Sequence, residues 1–160
     1  MNSVTFGRFN LPHPGHIDLI KRMLSLGGQA FVGISTGRNN NDYLMRREVL
    51  DQLCYREKLD PYKIHFFPSP NPFEAVEYSL KTAPATLVLG RDQSKLGEKL
   101  SQDLGVKFVP NEVRVGSSTV IRYFLEIGEE QLVRDIYHND DFIFSDILDL
   151  RQEELLREKS

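Results

Sequence analysis

The sequence predicts a doubly wound α/β fold: a parallel five-stranded sheet covered on both faces by helices, with further helices at the C-terminal end. Two observations carry this. Short β-prone runs alternate with segments of helical periodicity, the order expected of a parallel sheet wound by right-handed crossovers. The run 30–34 is almost wholly apolar, which suits a strand buried on both faces. A chain of 160 residues, 40% hydrophobic and 27% charged, has an ordinary globular composition. Folding should bury roughly 70% of its unfolded surface, enough for a core without disulfides or a structural metal. The expected organisation is a single domain over 1–160, with its core at about 3–128 and a helical segment at about 129–160.

The first strand is 3–6, ending at Gly7, and a Pro/His/Gly loop at 10–15 leads to a helix over 16–26. Ile17, Ile20 and Leu24 repeat near 3.6 residues, and Gly27-Gly28 can end that helix. After the strand at 30–34, a polar loop at 37–42 with three asparagines precedes a helix over 43–58, whose apolar face is Leu44, Val49, Leu50, Leu53 and Cys54. The remaining strands are 64–67, 86–89 and 106–109, separated by helices over 72–81, capped near Asn71, and 95–104. Beyond Gly116 the pattern is helical over 118–127, 130–137 and 141–159. The last helix places Phe144, Ile147, Leu148 and Leu155 near one stripe with Ile143 and Leu150 beside it, a face for the chain's own core or for a homo-oligomer contact.

Twenty basic and 23 acidic residues give a formal charge of −3, and the basic residues are scattered, so no field favours nucleic acid. One cysteine, Cys54, can form neither an internal disulfide nor a cysteine zinc site. There is no signal-peptide pattern at the start and no apolar run near the ~20 residues of a membrane span, so a cytoplasmic protein without a membrane partner is expected.

The segment Gly7-Arg8-Phe9-Asn10-Leu11-Pro12-His13-Pro14-Gly15-His16 joins the first strand to the first helix, where α/β folds bind phosphates. It has neither a Walker glycine-lysine pair nor G-x-G-x-x-G. Two histidines flank Pro-Gly instead, and an anion at this helix start would find both imidazoles and open backbone N–H groups, with Gly15 permitting close approach. A second cluster, Gly116-Ser117-Ser118-Thr119-Val120-Ile121-Arg122, opens another helix with hydroxyls and a guanidinium, and reads equally as an N-cap or a phosphate site. Ser118 and Arg122, four apart, can converge on one ligand.

These two segments, in this order, resemble the two signatures of the nucleotidylyltransferase superfamily with the His-x-Gly-His motif. The resemblance covers about 3–128 and implies a Rossmann-like fold and transfer of a nucleoside monophosphate from a nucleoside triphosphate to a phosphate-bearing acceptor. His16 would then meet the α-phosphate and His13 its neighbours, while Ser118, Thr119 and Arg122 would hold the departing pyrophosphate. Gly7, Arg8, Phe9, Gly15 and Ser117 belong to the same nucleotide site. Mg²⁺ would be carried by the nucleotide's phosphates, without a protein metal cage.

The Gly-Arg-Phe lead-in and the stretch from Ser118 to Arg122 followed by Gly128 resemble archaeal-type nicotinamide mononucleotide adenylyltransferases, although Asn10-Leu11-Pro12 departs from their Gln-Pro type lead-in. Gly15 to Ile20 resembles phosphopantetheine adenylyltransferase. Val88-Leu89-Gly90-Arg91-Asp92 is similar to small cytidylyltransferases, which keeps CTP and a sugar or polyol phosphate open. ATP and nicotinamide mononucleotide are the leading pair, and a catalytically silent nucleotide-binding protein is the rival. By position, Gly90, Arg91, Asp92 and Lys95 follow a strand at its carboxyl end, and Arg38 and Asp42 lie where acceptor selection is expected. Arg46 begins a helix where its charge opposes the dipole, so a ligand anion would explain it as well as surface placement does.

Overall fold

The structure, a computed structural model, describes residues 1–36, 42–111 and 117–159. Five strands, β1 (Asn2–Gly7), β2 (Ala30–Ser35), β3 (Ile64–Ser69), β4 (Ala85–Gly90) and β5 (Lys107–Asn111), form one parallel sheet in the order β3-β2-β1-β4-β5. Between and after them lie α1 (Pro14–Ser25), α2 (Tyr43–Arg56), α3 (Pro72–Leu80), α4 (Ser94–Leu104), α5 (Ser118–Glu126), α6 (Glu130–Ile136) and α7 (Asp141–Glu158). Short 3₁₀ turns at Pro61–Lys63 and Arg91–Gln93 are additions to the elements expected from the sequence.

Strand alternation divides the core into two layers. Ala30, Val32 and Ile34 of β2 and Val88 of β4 meet α1, α2 and α5–α7, whereas Phe31 of β2 and Ala85, Leu87 and Leu89 of β4 meet α3 and α4. The chain therefore winds outward from β1 on one face, crosses back, and continues from β4 on the other. The carboxyl ends of β1 and β4 lie side by side where the winding reverses, the place where a doubly wound sheet opens a ligand crevice.

Local chemistry explains the element ends. Asn71 Oδ1 accepts the Glu74 amide at 2.9 Å and caps α3 as expected, and Asp140 Oδ1 caps α7 by accepting from Ile143 at 3.0 Å. On α4, a Cβ at Gly97 would stand 2.4 Å from the Phe108 ring, so glycine is what lets this helix lie against β5.

Three expectations need correction. The strands expected at 64–67 and 106–109 continue through Pro68 and Pro110; both are outer strands, where a residue without an N–H is tolerated. On α2, Leu44 is 72% exposed, and the buried face runs Tyr43, Arg46, Val49, Leu50, Leu53 and Cys54. On α7, Ile143, Phe144, Ile147 and Leu150 are buried in the chain's own core, while Leu148 and Leu155 are partly exposed. Cys54 is buried, and burial pushes its thiol up to about 12, which makes it inert. No helix among the described residues is long and apolar enough to cross a membrane.

Candidate functional site

The site is built where β1 hands the chain to α1. His13 is the N-cap of α1, in extended conformation, and Pro14 occupies the first helical position, where its missing N–H costs nothing. The helix thus begins two residues earlier than periodicity alone indicated. His13 Nδ1 accepts the Gly15 amide at 3.0 Å, and His16 Nδ1 accepts the His13 amide at 3.1 Å. Two imidazoles thereby make the reciprocal bonds that serine and glutamate make in a capping box.

This cap fixes the tautomers. A ring nitrogen that accepts from a backbone amide carries no proton, so each neutral ring holds its hydrogen on Nε2. The rings stack with centroids 3.8 Å apart, one imidazole lying over the other. Burial holds His13 down at about 4 and lowers His16 well below the usual range, His13 itself adding to the latter effect. At neutral pH the pair is therefore uncharged, with two N–H donors to offer.

The expectation of open backbone amides at this helix start is corrected by the same bonds. Pro14 has no N–H, the Gly15 amide goes to His13 Nδ1, and the His16 amide goes to the His13 carbonyl at 2.9 Å. The imidazoles, not the backbone, are the donors left for a ligand. Gly15 serves the cap. Phe9, at φ 50°, is 4% exposed and meets the His16 ring edge-on at 4.9 Å, so it backs the imidazole from the core. Gly7 ends β1 against that ring: a Cβ there would be 3.2 Å from Phe9. Tyr137, the fully buried C-cap of α6, donates its hydroxyl to the Pro12 carbonyl and anchors the loop beside His13.

The second expected cluster comes to the same place. Ser117 caps α5 by accepting the Val120 amide at 3.3 Å. Ser118 donates to the Leu11 carbonyl at 2.7 Å, and Arg122 Nη2 donates to the Asn10 carbonyl at 2.7 Å. The i, i+4 pair does converge, but on adjacent carbonyls of the histidine loop. Thr119 is exposed at the helix start, where its amide has no intrahelical partner. Arg122 also grips Glu154 of α7, through Nε at 3.0 and 3.1 Å and Nη2 at 2.6 Å.

Arg46 is the plainest departure from expectation. It is 4% exposed, and Nε reaches Asp42 at 3.1 Å while Nη1 donates to the carbonyls of Arg8 at 2.6 Å and Ser35 at 2.8 Å. Its unfavourable place in the first turn of α2 is offset by these protein acceptors, so no ligand is needed to explain it. Asp42 is buried between Arg46 and Arg157 of α7, the latter at 2.8 Å. Arg8 is exposed beside β1. Gly90 ends β4, where a Cβ would be 2.7 Å from Asp92 Oδ1, and Arg91 and Asp92 stand exposed in the following turn with Lys95 close behind. Arg38 and Gly116 lie outside the described residues.

Glu154, Arg151 and Arg157 are the site neighbours that sequence reasoning missed. Separated from Arg122 by 32 residues and from Asp42 by 115, they carry no local pattern beyond a charged last helix.

A stacked histidine pair and an arginine-bearing helix beside the β1/β4 switch of a five-stranded parallel sheet agree with the nucleotidylyltransferase superfamily that the sequence resembles. Residues 4–109 match the model of the cytidylyltransferase-like family, well over half the chain, and the protein belongs to that family. A glycerol-3-phosphate cytidylyltransferase of Staphylococcus aureus is 31% identical over 68 residues, covering 38% of this chain and 52% of the relative, so the match spans about half the relative's length. Two solved structures share the fold. The bifunctional NMN adenylyltransferase/ADP ribose pyrophosphatase of Francisella tularensis superposes with a TM-score of 0.65 at 16% identity, over 80% of this chain and 43% of that one. A protein of Vibrio parahaemolyticus described as a nicotinate-nucleotide adenylyltransferase gives 0.61 at 22% identity, over 80% and 89%.

Proposed function

We propose that the chain transfers a nucleoside monophosphate from a nucleoside triphosphate to a phosphate-bearing small molecule, releasing pyrophosphate, and that ATP and nicotinamide mononucleotide are the substrates. The observation that carries the reading is the histidine pair, whose Nδ1 atoms are both consumed in the helix cap, leaving the two Nε2–H groups as donors at the turn from β1 to α1.

An acceptor phosphate oxygen attacks the α-phosphorus in line. A new P–O bond forms, the bond to the bridging oxygen breaks, and that oxygen leaves with the electron pair on pyrophosphate. His16 donates to an α-phosphate oxygen as charge grows there, His13 donates to the adjoining phosphate, and Thr119 and Arg122 receive the leaving group. Gly7, Arg91 and Asp92, at the ends of β1 and β4, flank the nucleotide. The enzyme's share is positioning and charge stabilisation, with no covalent intermediate.

Magnesium enters as part of the substrate. At the motif His13, His16 and Arg122 offer N–H donors to phosphate oxygens. A cation that keeps phosphate and water oxygens as its ligands fits this donor set.

The test is pyrophosphate release from ATP, CTP, GTP and UTP, each with Mg²⁺, against nicotinamide mononucleotide, phosphopantetheine, glycerol 3-phosphate and sugar phosphates. The expected result is turnover with ATP and nicotinamide mononucleotide that falls at least ~100-fold in His16→Ala. Turnover with CTP and glycerol 3-phosphate instead would establish the second reading, which the Staphylococcus relative and the family match favour. Release undiminished in His16→Ala would remove the histidine pair from the chemistry.

A further inference from the structure

The arginine expected to receive the leaving phosphates already holds an anion, and that anion belongs to the chain itself. The Nε and Nη2 edge of Arg122 is filled by both oxygens of Glu154, the remaining Nη2 hydrogen goes to the Asn10 carbonyl, and Nη1 alone has no partner among the described residues. A carboxylate seated on a guanidinium fork presents two oxygens at about the spacing that a phosphate presents, so the two anions compete for one edge.

The surroundings fit an exchangeable contact. Side-chain exposure is 29% at Arg122 and 12% at Glu154, so water reaches the pair and neither charge would be stranded on separation. Glu154 has a second cation one turn back on its own helix, Arg151 at 3.3 Å, to keep when Arg122 leaves. Asn10 takes part on both sides: its carbonyl binds Arg122 and its Nδ2 donates to Glu154 at 3.2 Å, while its Oδ1 is buried without a partner. A change of partner at Arg122 is therefore felt three residues from His13.

We propose that Glu154 is an internal stand-in for a phosphate: α7 latches the triphosphate subsite in the nucleotide-free protein, and an incoming triphosphate takes Arg122 from Glu154, which stays with Arg151. Resting on the phosphate role given to Arg122 under the proposed function, the inference adds Glu154 as the residue that sets the affinity of that subsite. Part of the binding energy of a triphosphate goes into opening the latch, and the end of α7 is loosened whenever the subsite fills.

Magnesium tripolyphosphate, which has neither base nor ribose, is the probe. Its dissociation constant, measured by calorimetry on the full chain, is expected to be about fivefold lower for Glu154→Gln than for wild type, since the amide keeps the size but not the charge of the competitor. In the wild type, amide hydrogen exchange over 154–158 is expected to quicken when the probe is added, a readout that needs no variant to fold. Equal or weaker binding by Glu154→Gln, or unchanged exchange over 154–158, would overturn the latch and leave Glu154 a brace. If Arg122→Gln loses the probe while Glu154→Gln matches wild type, the phosphate role of Arg122 stands and only the latch falls. If neither wild type nor Glu154→Gln binds it, both fall.

Discussion

Replacing His13 by asparagine separates its two jobs, because asparagine is a good N-cap acceptor that does not titrate near neutrality. In the folded protein His13 is held down at about 4, against 6.5 for the free side chain, so between these values the unfolded chain takes up a proton that the folded one refuses. Stability from this group is complete above the unfolded value and is lost as pH falls through 6.5 toward 4. Between about pH 8 and about pH 5 the two values correspond to a loss of about 2 kcal/mol from His13 alone. The structural reason is concrete: a proton on Nδ1 would abolish the bond from the Gly15 amide and place a cation against the His16 ring. Urea unfolding at the two pH values is the assay, and 2 kcal/mol moves the midpoint by about 1 M for a typical urea slope. The acid loss in His13→Asn should be smaller than in wild type by that amount. Equal losses in the two proteins would refute both the depressed titration and the tautomer assigned from the cap.

Two further outcomes follow from buried polar links. Arg46→Met leaves Asp42 with Arg157 as its ion-pair partner among the described residues and strips the Arg46 donor from the Arg8 and Ser35 carbonyls, so unfolding free energy should fall by about 3 kcal/mol; a loss under about 1 kcal/mol would mean that these links are not structural. Tyr137→Phe removes the hydroxyl bonded to the Pro12 carbonyl in a site closed to water, and should cost about 1–2 kcal/mol in thermal or urea unfolding. It should also slow pyrophosphate release, since that carbonyl adjoins His13, and an unchanged rate would detach α6 from the chemistry.

The sheet was legible because parallel strands buried on both faces leave apolar runs, and the histidine loop because its residue types are rare in that pattern. Errors arose where one local rule met a longer-range contact. Periodicity puts Leu44 on the apolar face of α2 because Arg46 hides the true stripe: Tyr43, Arg46, Leu50 and Leu53 follow helical spacing, but the arginine is buried by acceptors from Arg8, Ser35 and Asp42. Helix starts usually leave open amides, so the sequence alone predicts them at α1, and the unusual use of both histidine rings as caps consumes them. Glu154 was invisible for a simpler reason: nothing near it in the sequence marks a contact with Arg122, which only the return of α7 across the fold creates.

The prolines near the ends of both outer strands have a bearing beyond strand length. Each stands one residue from the carboxyl end of its strand, on the rim that carries the crevice. A sixth strand, whether from a second copy or from an extended peptide, would there face a backbone position with no hydrogen to give. At those two positions the carboxyl rim of the sheet is guarded against templated β-addition.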